Sequence, residues 1–262
     1  MNLYFFIVKW RDAGVVQRGR LKIYCVKSRV SSNLTPATIH LLSLYYIMNL
    51  SVEILIEHAK KSYYEATCNI SKLSDEILDM NGMTGKQTRH LYNNLCSLDN
   101  ITYVEVGTYT GSSLISAIYH NNLTAYAIEN WSEFYGPKEI FMSSVKKLLF
   151  NEKFNLIEKD FHNVTIEDLN NNKIDIFMYD GMHTYDCQYD AIKHFYPFMN
   201  DNFIIIIDDW NSVIVSEATI KALEDLNVKI IYQQEIITNQ LEGDGKDTFW
   251  DGFGLFVCCK EV

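Results

Sequence analysis

The sequence predicts an α/β fold: a seven-stranded, mostly parallel sheet with an antiparallel edge pair, preceded by helices. Three observations carry that expectation. From Ile101 onward, short apolar runs alternate with helical stretches, the signature of a parallel sheet covered on both faces. Between Asn49 and Leu98, apolar residues recur at helical spacing. The 262 residues suffice for one large core plus an N-terminal extension.

Residues 1–47 fit neither pattern. They are basic, with Arg11, Arg18, Arg20, Lys22, Lys27 and Arg29, and show no sustained periodicity. The run from Arg29 to Thr38 resembles the peptide that appears when a transfer-RNA gene is translated in an unintended frame, so this extension is expected to be either foreign, with Met48 the true start, or an ordinary basic tail. The apolar stretch Leu3 to Val8 lacks a preceding positive charge and a small-residue cleavage site, which argues against a signal peptide. The long apolar stretch Ile39 to Ile56 carries His40, Asn49 and Glu53 and reads as an amphipathic helix, not a membrane span.

In the helical segment, residues 48–99, Ile54, Leu55 and His58 fall on one face, Leu73, Ile77 and Leu78 on another, and Leu91, Leu95 and Leu98 on a third. The segment is expected to form a lid or a dimer surface. Strands are expected at about 101–106, 124–129, 155–159, 174–179, 203–208, 228–235 and 253–259. Pro137 suits the first turn of a helix running to Phe150. The last two strands have no helix between them, so they are expected to pair antiparallel across the polar loop Thr238 to Trp250.

A formal net charge of -10 works against sequence-independent nucleic-acid binding, which draws on Lys and Arg. A small-molecule or sugar partner fits better, and neither nucleic acid nor membrane is expected. The six cysteines show no C-x-x-C spacing, so structural zinc is not expected and reduced buried thiols are. A cytoplasmic protein is expected, with homo-oligomerisation left open.

The chemistry concentrates at strand ends. The first strand of the main domain runs into Glu105-Val106-Gly107-Thr108-Tyr109-Thr110-Gly111, then Ser112. Glycines at 107 and 111 let the backbone turn sharply and approach a ligand closely. A dinucleotide site would show G-x-G-x-x-G, and this segment does not. The next strand delivers Glu129 about 20 residues later, the position at which such folds hold a ribose.

Together these residues resemble the first motif and the ribose-binding acid of class I methyltransferases that use S-adenosylmethionine (SAM), a Rossmann-like family. The resemblance covers residues 100–262. It implies that Gly107, Thr108, Gly111 and Ser112 approach the amino-acid end of SAM, that Glu105 orients its ammonium, and that Glu129 with Asn130 holds the ribose. Asp160 and Phe161 stand where the family meets the adenine, although a capping role for Asp160 is equally open.

Acids also end the fourth and fifth strands, in Tyr179-Asp180-Gly181-Met182-His183 and in Asp208-Asp209-Trp210. Side by side they would repel unless a cation or a hydrogen-bond network offsets them. Oxygen ligands suit magnesium. The pattern resembles metal-dependent sugar O-methyltransferases and cephalosporin-hydroxylase-like proteins, which implies Asp180, Asp208 and Asp209 as metal ligands. That subgroup often has a second acid where this chain has Met182. His183 is therefore the expected general base, with Asp180 beside it, although a purely loop-shaping histidine is as good a reading. The stretch Glu129 to Phe134 with Gly136-Pro137-Lys138 resembles small phage, marine-bacterial and giant-virus methyltransferases. Trp131 and Trp210 are candidate pocket walls. His58, His90, His162 and His194 are expected to be structural or surface residues. The expected activity is methyl transfer from SAM to a hydroxyl of a small molecule or sugar, either assisted by magnesium or metal-free with His183 as base. The competing reading is a non-methylating relative, either oxygenase-like or a binding protein.

Overall fold

The computed structural model describes residues 4–8, 23–27, 51–149, 153–238 and 245–260. The chain divides into two compact units, Met1–Met48 and Asn49–Val262. The first contains β1 (Tyr4–Val8) and β2 (Ile23–Lys27), paired antiparallel with Phe6 opposite Cys25. This corrects the expectation of no regular element there: both segments are runs of β-branched and aromatic residues. The run Arg29 to Thr38, Met48, and the Ile39 to Ile56 segment as far as residue 50 lie outside the described residues.

The second unit opens with α1 (Val52–Thr67), α2 (Asp75–Leu78) and α3 (Lys86–Leu95). Ser51 caps α1, its hydroxyl accepting from the Ile54 amide at 3.4 Å. The buried row of α1 is Leu55, Ala59, Ser62 and Ala66, a spacing of four, three and four that keeps one face inward. Ile54, expected on that face, is exposed. α3 is buried along most of its length, because it packs between α1 and the first helix of the sheet domain.

The sheet domain follows with β3 (Thr102–Val106), α4 (Ser112–Ile118), β4 (Thr124–Ile128), α5 (Lys138–Leu148) and β5 (Phe154–Ile157). It continues through β6 (Ile174–Tyr179), α6 (Tyr185–Phe195), β7 (Met199–Asp208), α7 (Val213–Asp225), β8 (Val228–Ile236) and β9 (Phe253–Lys260). The strand order is β5-β4-β3-β6-β7-β9-β8. The pairs β3/β4, β4/β5, β3/β6 and β6/β7 are parallel, and β9 runs antiparallel to both β7 and β8. This is the expected Rossmann-like sheet, with β9 threaded between β7 and β8. Part of the polar loop between β8 and β9 (239–244), and Phe150 after α5, lie outside the described residues.

Side-chain alternation along the strands builds two cores. Tyr103, Ile176, Met178, Ile204 and Ile206 pack with the α1, α3 and α4 layer. Val104, Phe177, Ile205 and Ile207 pack with α6 and α7. Chain order leaves β3 for β4 and β5, then returns to β6 on the other side. Open α/β sheets bind ligands at the carboxyl ends of the strands flanking such a reversal. Among the described residues, no helix is long and apolar enough to cross a membrane. Cys96 and Cys258 are buried free thiols as expected, but Cys68 is free and exposed.

Candidate active site

A cleft of about 440 Å³ opens at that reversal, and Gly107 and Glu129 both line it. Gly107 adopts φ +84°, and a Cβ there would stand 2.0 Å from the Asp180 carbonyl oxygen, so β3 and β6 approach as only glycine allows. Glu129 binds the turn together. Its Oε2 accepts from the amides of Thr108 (3.0 Å) and Tyr109 (3.3 Å), and its Oε1 accepts from those of Asn130 and Trp131 (both 2.9 Å). The carboxylate expected to hold a ribose thus also organises the backbone around it.

Four expected cofactor contacts, Glu105, Thr108, Gly111 and Ser112, do not line the cleft. Glu105 is wholly buried, its carboxylate accepting from the hydroxyls of Tyr103 and Ser113, each at 2.6 Å, and it does not line the cleft. Burial pushes its carboxyl up to about 8, although both hydrogen bonds oppose the shift. Gly111 packs against the ring of Phe141, which a Cβ would meet at 3.0 Å. The Ser112 hydroxyl is 2.9 Å from that of Thr84, in the loop ahead of α3. Thr108 is buried, and its hydroxyl has no partner among the described residues.

At the far wall Asn130, Asp160 and Phe161 line the cleft. Asp160 also caps a short 3-10 turn, accepting from the His162 amide at 2.9 Å, with the His162 ring Nδ1 at 2.8 Å. Those bonds hold its carboxyl below the usual range. His162, expected to be a structural or surface residue, borders the cleft, whereas His58, His90 and His194 serve internal hydrogen bonds.

The acid cluster differs from the expected trio. Asp180, His183 and Asp209 each offer a ligand atom, all within 4.8 Å of one another. His183 Nε2 is 3.5 Å from Asp180 Oδ1, and its Nδ1 is 2.9 Å from Asp209 Oδ2. Asp208 lies outside this cluster. It nevertheless lines the same cleft, 6 % exposed, and its Oδ1 has no partner among the described residues. Asp209 turns through φ +53°, a left-handed conformation that Asp tolerates, and sits beside His183.

The same contacts set the proton affinities of the candidate bases. Burial lowers the affinity of His183 for its proton, but hydrogen bonds and charge from Asp180 and Asp209 outweigh it and raise the imidazole to about 10. At neutral pH it is an imidazolium. Asp180 is raised to about 6, chiefly by burial and further by Asp209, while the His183 hydrogen bond holds it down. Asp208 is raised well above the carboxylate range, first by burial and then by Asp180 and Asp209.

Neither tryptophan lines the cleft: Trp131 packs tilted against Phe141, and Trp210, 3 % exposed, packs edge to face on Phe256. The lining aromatics are instead Tyr109, Phe134, Phe161, Tyr179 and Trp250. Tyr109 meets Phe134 edge to face at 5.1 Å.

Residues 104–210 match the family model described as a methyltransferase domain. This stretch is similar to a methyltransferase domain. It begins inside β3 and ends at Trp210, so it contains the glycine turn, Glu129, Asp160 and the acid cluster. A comparison with curated protein sequences finds no match. Among solved structures, the precorrin-6y C5,15-methyltransferase from Geobacter metallireducens GS-15 is 16% identical at TM-score 0.51, covering 73% of this chain and 99% of that one. The O-methyltransferase from Bacillus cereus, in complex with SAH, is 13% identical at TM-score 0.49, covering 84% and 96%. A candidate SAM-dependent methyltransferase from Streptococcus mutans is 12% identical at TM-score 0.49 over 66% of this chain, which spans only 48% of that protein's length. Likeness at such identities concerns the methyltransferase fold alone.

Proposed function

We propose that the methyltransferase domain transfers the methyl group of SAM to a hydroxyl oxygen of a small molecule or sugar, with Asp180 taking the hydroxyl proton. One observation carries this reading: the glycine turn, Glu129 and the acid cluster open onto a single cleft. SAM supplies an electrophilic methyl group on a sulfonium. The acceptor oxygen forms the new C–O bond as the C–S bond breaks, the electron pair stays on sulfur, and the proton goes to an Asp180 carboxylate. With its carboxyl raised to about 6, Asp180 is ionised at neutral pH yet more basic than an ordinary Asp. The His183 imidazolium offsets the neighbouring negative charge. Gly107 and Glu129, with Asn130, Asp160 and Phe161, would hold SAM.

The residues also fit a divalent cation. The carboxylates of Asp180 and Asp209 converge, and His183 would join them as a ligand once a cation displaces its proton. The carboxylates suit magnesium or manganese, and the imidazole moves the preference toward borderline transition metals. Such an ion would supply charge stabilisation to a developing alkoxide.

Calorimetric titration with SAM, followed by incubation with methyl-labelled SAM and a host metabolite extract, tests the reading. Absence of SAM binding would refute it. Asp209→Asn should abolish stimulation by added magnesium or manganese and leave SAM affinity within about twofold, since it removes a cation ligand and no SAM contact. Unchanged stimulation would remove the cation from the reaction.

A further inference from the structure

We infer that Met83 and Trp250 select the methyl acceptor, and that the acceptor is an amphipathic alcohol: a hydroxyl-bearing head joined to an apolar ring or chain. This rests on the reading of the cleft as a methyl-transfer site. Both residues line the cleft, on segments that flank the methyltransferase domain on either side in sequence. Asn130, Asp160 and Phe161, assigned to SAM, follow β4 and β5, whereas Trp250 and Asp251 precede β9, next to β7 and the acid cluster. The Asn211 amide donates to the Asp251 carbonyl at 3.0 Å, which fixes the Trp250 segment two residues from Asp209.

Met83 lines the cleft and is 43 % exposed, yet its loop is tightly held. Arg89, 3 % exposed, donates through Nη1 to the carbonyls of Ile77, Leu78 and Met80 and through Nε to that of Thr84. The Thr110 hydroxyl donates to the Asn81 carbonyl at 3.2 Å. The Met83 and Trp250 segments are also pinned to each other. The Lys86 amide donates to the Lys246 carbonyl at 2.7 Å, and Gly85 lies so close that a Cβ would meet the Thr248 carbonyl oxygen at 2.0 Å. A rigid support that keeps an apolar side chain exposed in a cleft is suited to binding: the thioether is adaptable and the indole presents a flat face. A wholly polar acceptor would leave both surfaces wet.

The probes are 4-nitrophenyl β-glucoside and glucose, titrated by calorimetry into the full chain saturated with SAH. Burying the aryl ring should make the glucoside bind about tenfold tighter or more than glucose. Met83→Ala and Trp250→Ala should each lose most of that preference while keeping SAH affinity within about twofold, because neither residue is on the SAM side. Trp250→Phe, which keeps an apolar face, should retain it, and guards against misreading a folding defect in Trp250→Ala. Equal affinity for the two probes, including no binding of either, overturns the inference, as does a preference that survives both alanine variants. A preference lost in both alanine variants, in a chain that fails to bind SAH or SAM, would overturn the methyltransferase reading and leave the wall standing.

Discussion

Nδ1 of His183 stands 2.9 Å from Oδ2 of Asp209, so the residue best placed by sequence to take a proton is the one that already holds it. With Asp180 on its other nitrogen, it titrates with its neighbours as a unit. The acid limb of the pH–rate profile should therefore fall near pH 6, where Asp180 gains a proton and ceases to act as a base. His183→Gln removes the cation that holds Asp180 down, so its acid limb should move up by about one pH unit. An unmoved limb in single-turnover methyl transfer would show that Asp180 is not the base.

Glu129 gathers four amides from the glycine turn and the β4 end. Glu129→Gln replaces one charged acceptor oxygen with an amide that would point donor hydrogens at two backbone donors. Expected are a loss of about 2 kcal/mol in urea unfolding and a SAM affinity lower by about tenfold or more. Intact stability with weakened SAM binding would separate ligand contact from turn support.

Much of this site was legible in the sequence, and what was not has identifiable causes. The order of strands, Gly107 against Glu129, and the position of Asp180 followed from alternating apolar runs and turn chemistry, both local signals. Asp208 and Asp209 are adjacent, and sequence alone gave no sign that the second turns left-handed and sits against His183 while the first is buried and outside that cluster. Ser112 and Gly111 fit a ligand cradle by spacing, but the loop before α3 and the ring of Phe141 reach them first. Met83 and Trp250 lie outside every motif, since their role depends on contacts between segments about 165 residues apart.

Glu105 is ionisable and wholly buried, with a carboxyl raised to about 8. Its folded value exceeds its unfolded one, so the stability it contributes is complete below about pH 4.5 and is lost as pH rises through 8. Glu105→Gln keeps an acceptor for Tyr103 or Ser113 and cannot ionise. The variant should match or trail the wild type at pH 4.5 and exceed it by on the order of 3 kcal/mol above pH 8. Parallel pH dependences of urea unfolding would show that the wild-type carboxyl is not perturbed by burial.

Arg89 is the remaining buried charge whose role is testable by stability alone. Its guanidinium satisfies the carbonyls of Ile77, Leu78, Met80 and Thr84, two of which close the short helix α2, and its affinity for its proton is lowered by burial to about 10. Positive charge at a helix C-terminus is favourable, and four carbonyls in one plane-sharing group suit a guanidinium better than an ammonium. Arg89→Met should cost about 3 kcal/mol, because it strands buried acceptors as well as removing the charge. Arg89→Lys should recover only part of that loss. Amide hydrogen exchange should show the damage concentrated in residues 77–86, and a uniform loss of protection across the sheet would mean that Arg89 supports the fold at large and not this loop.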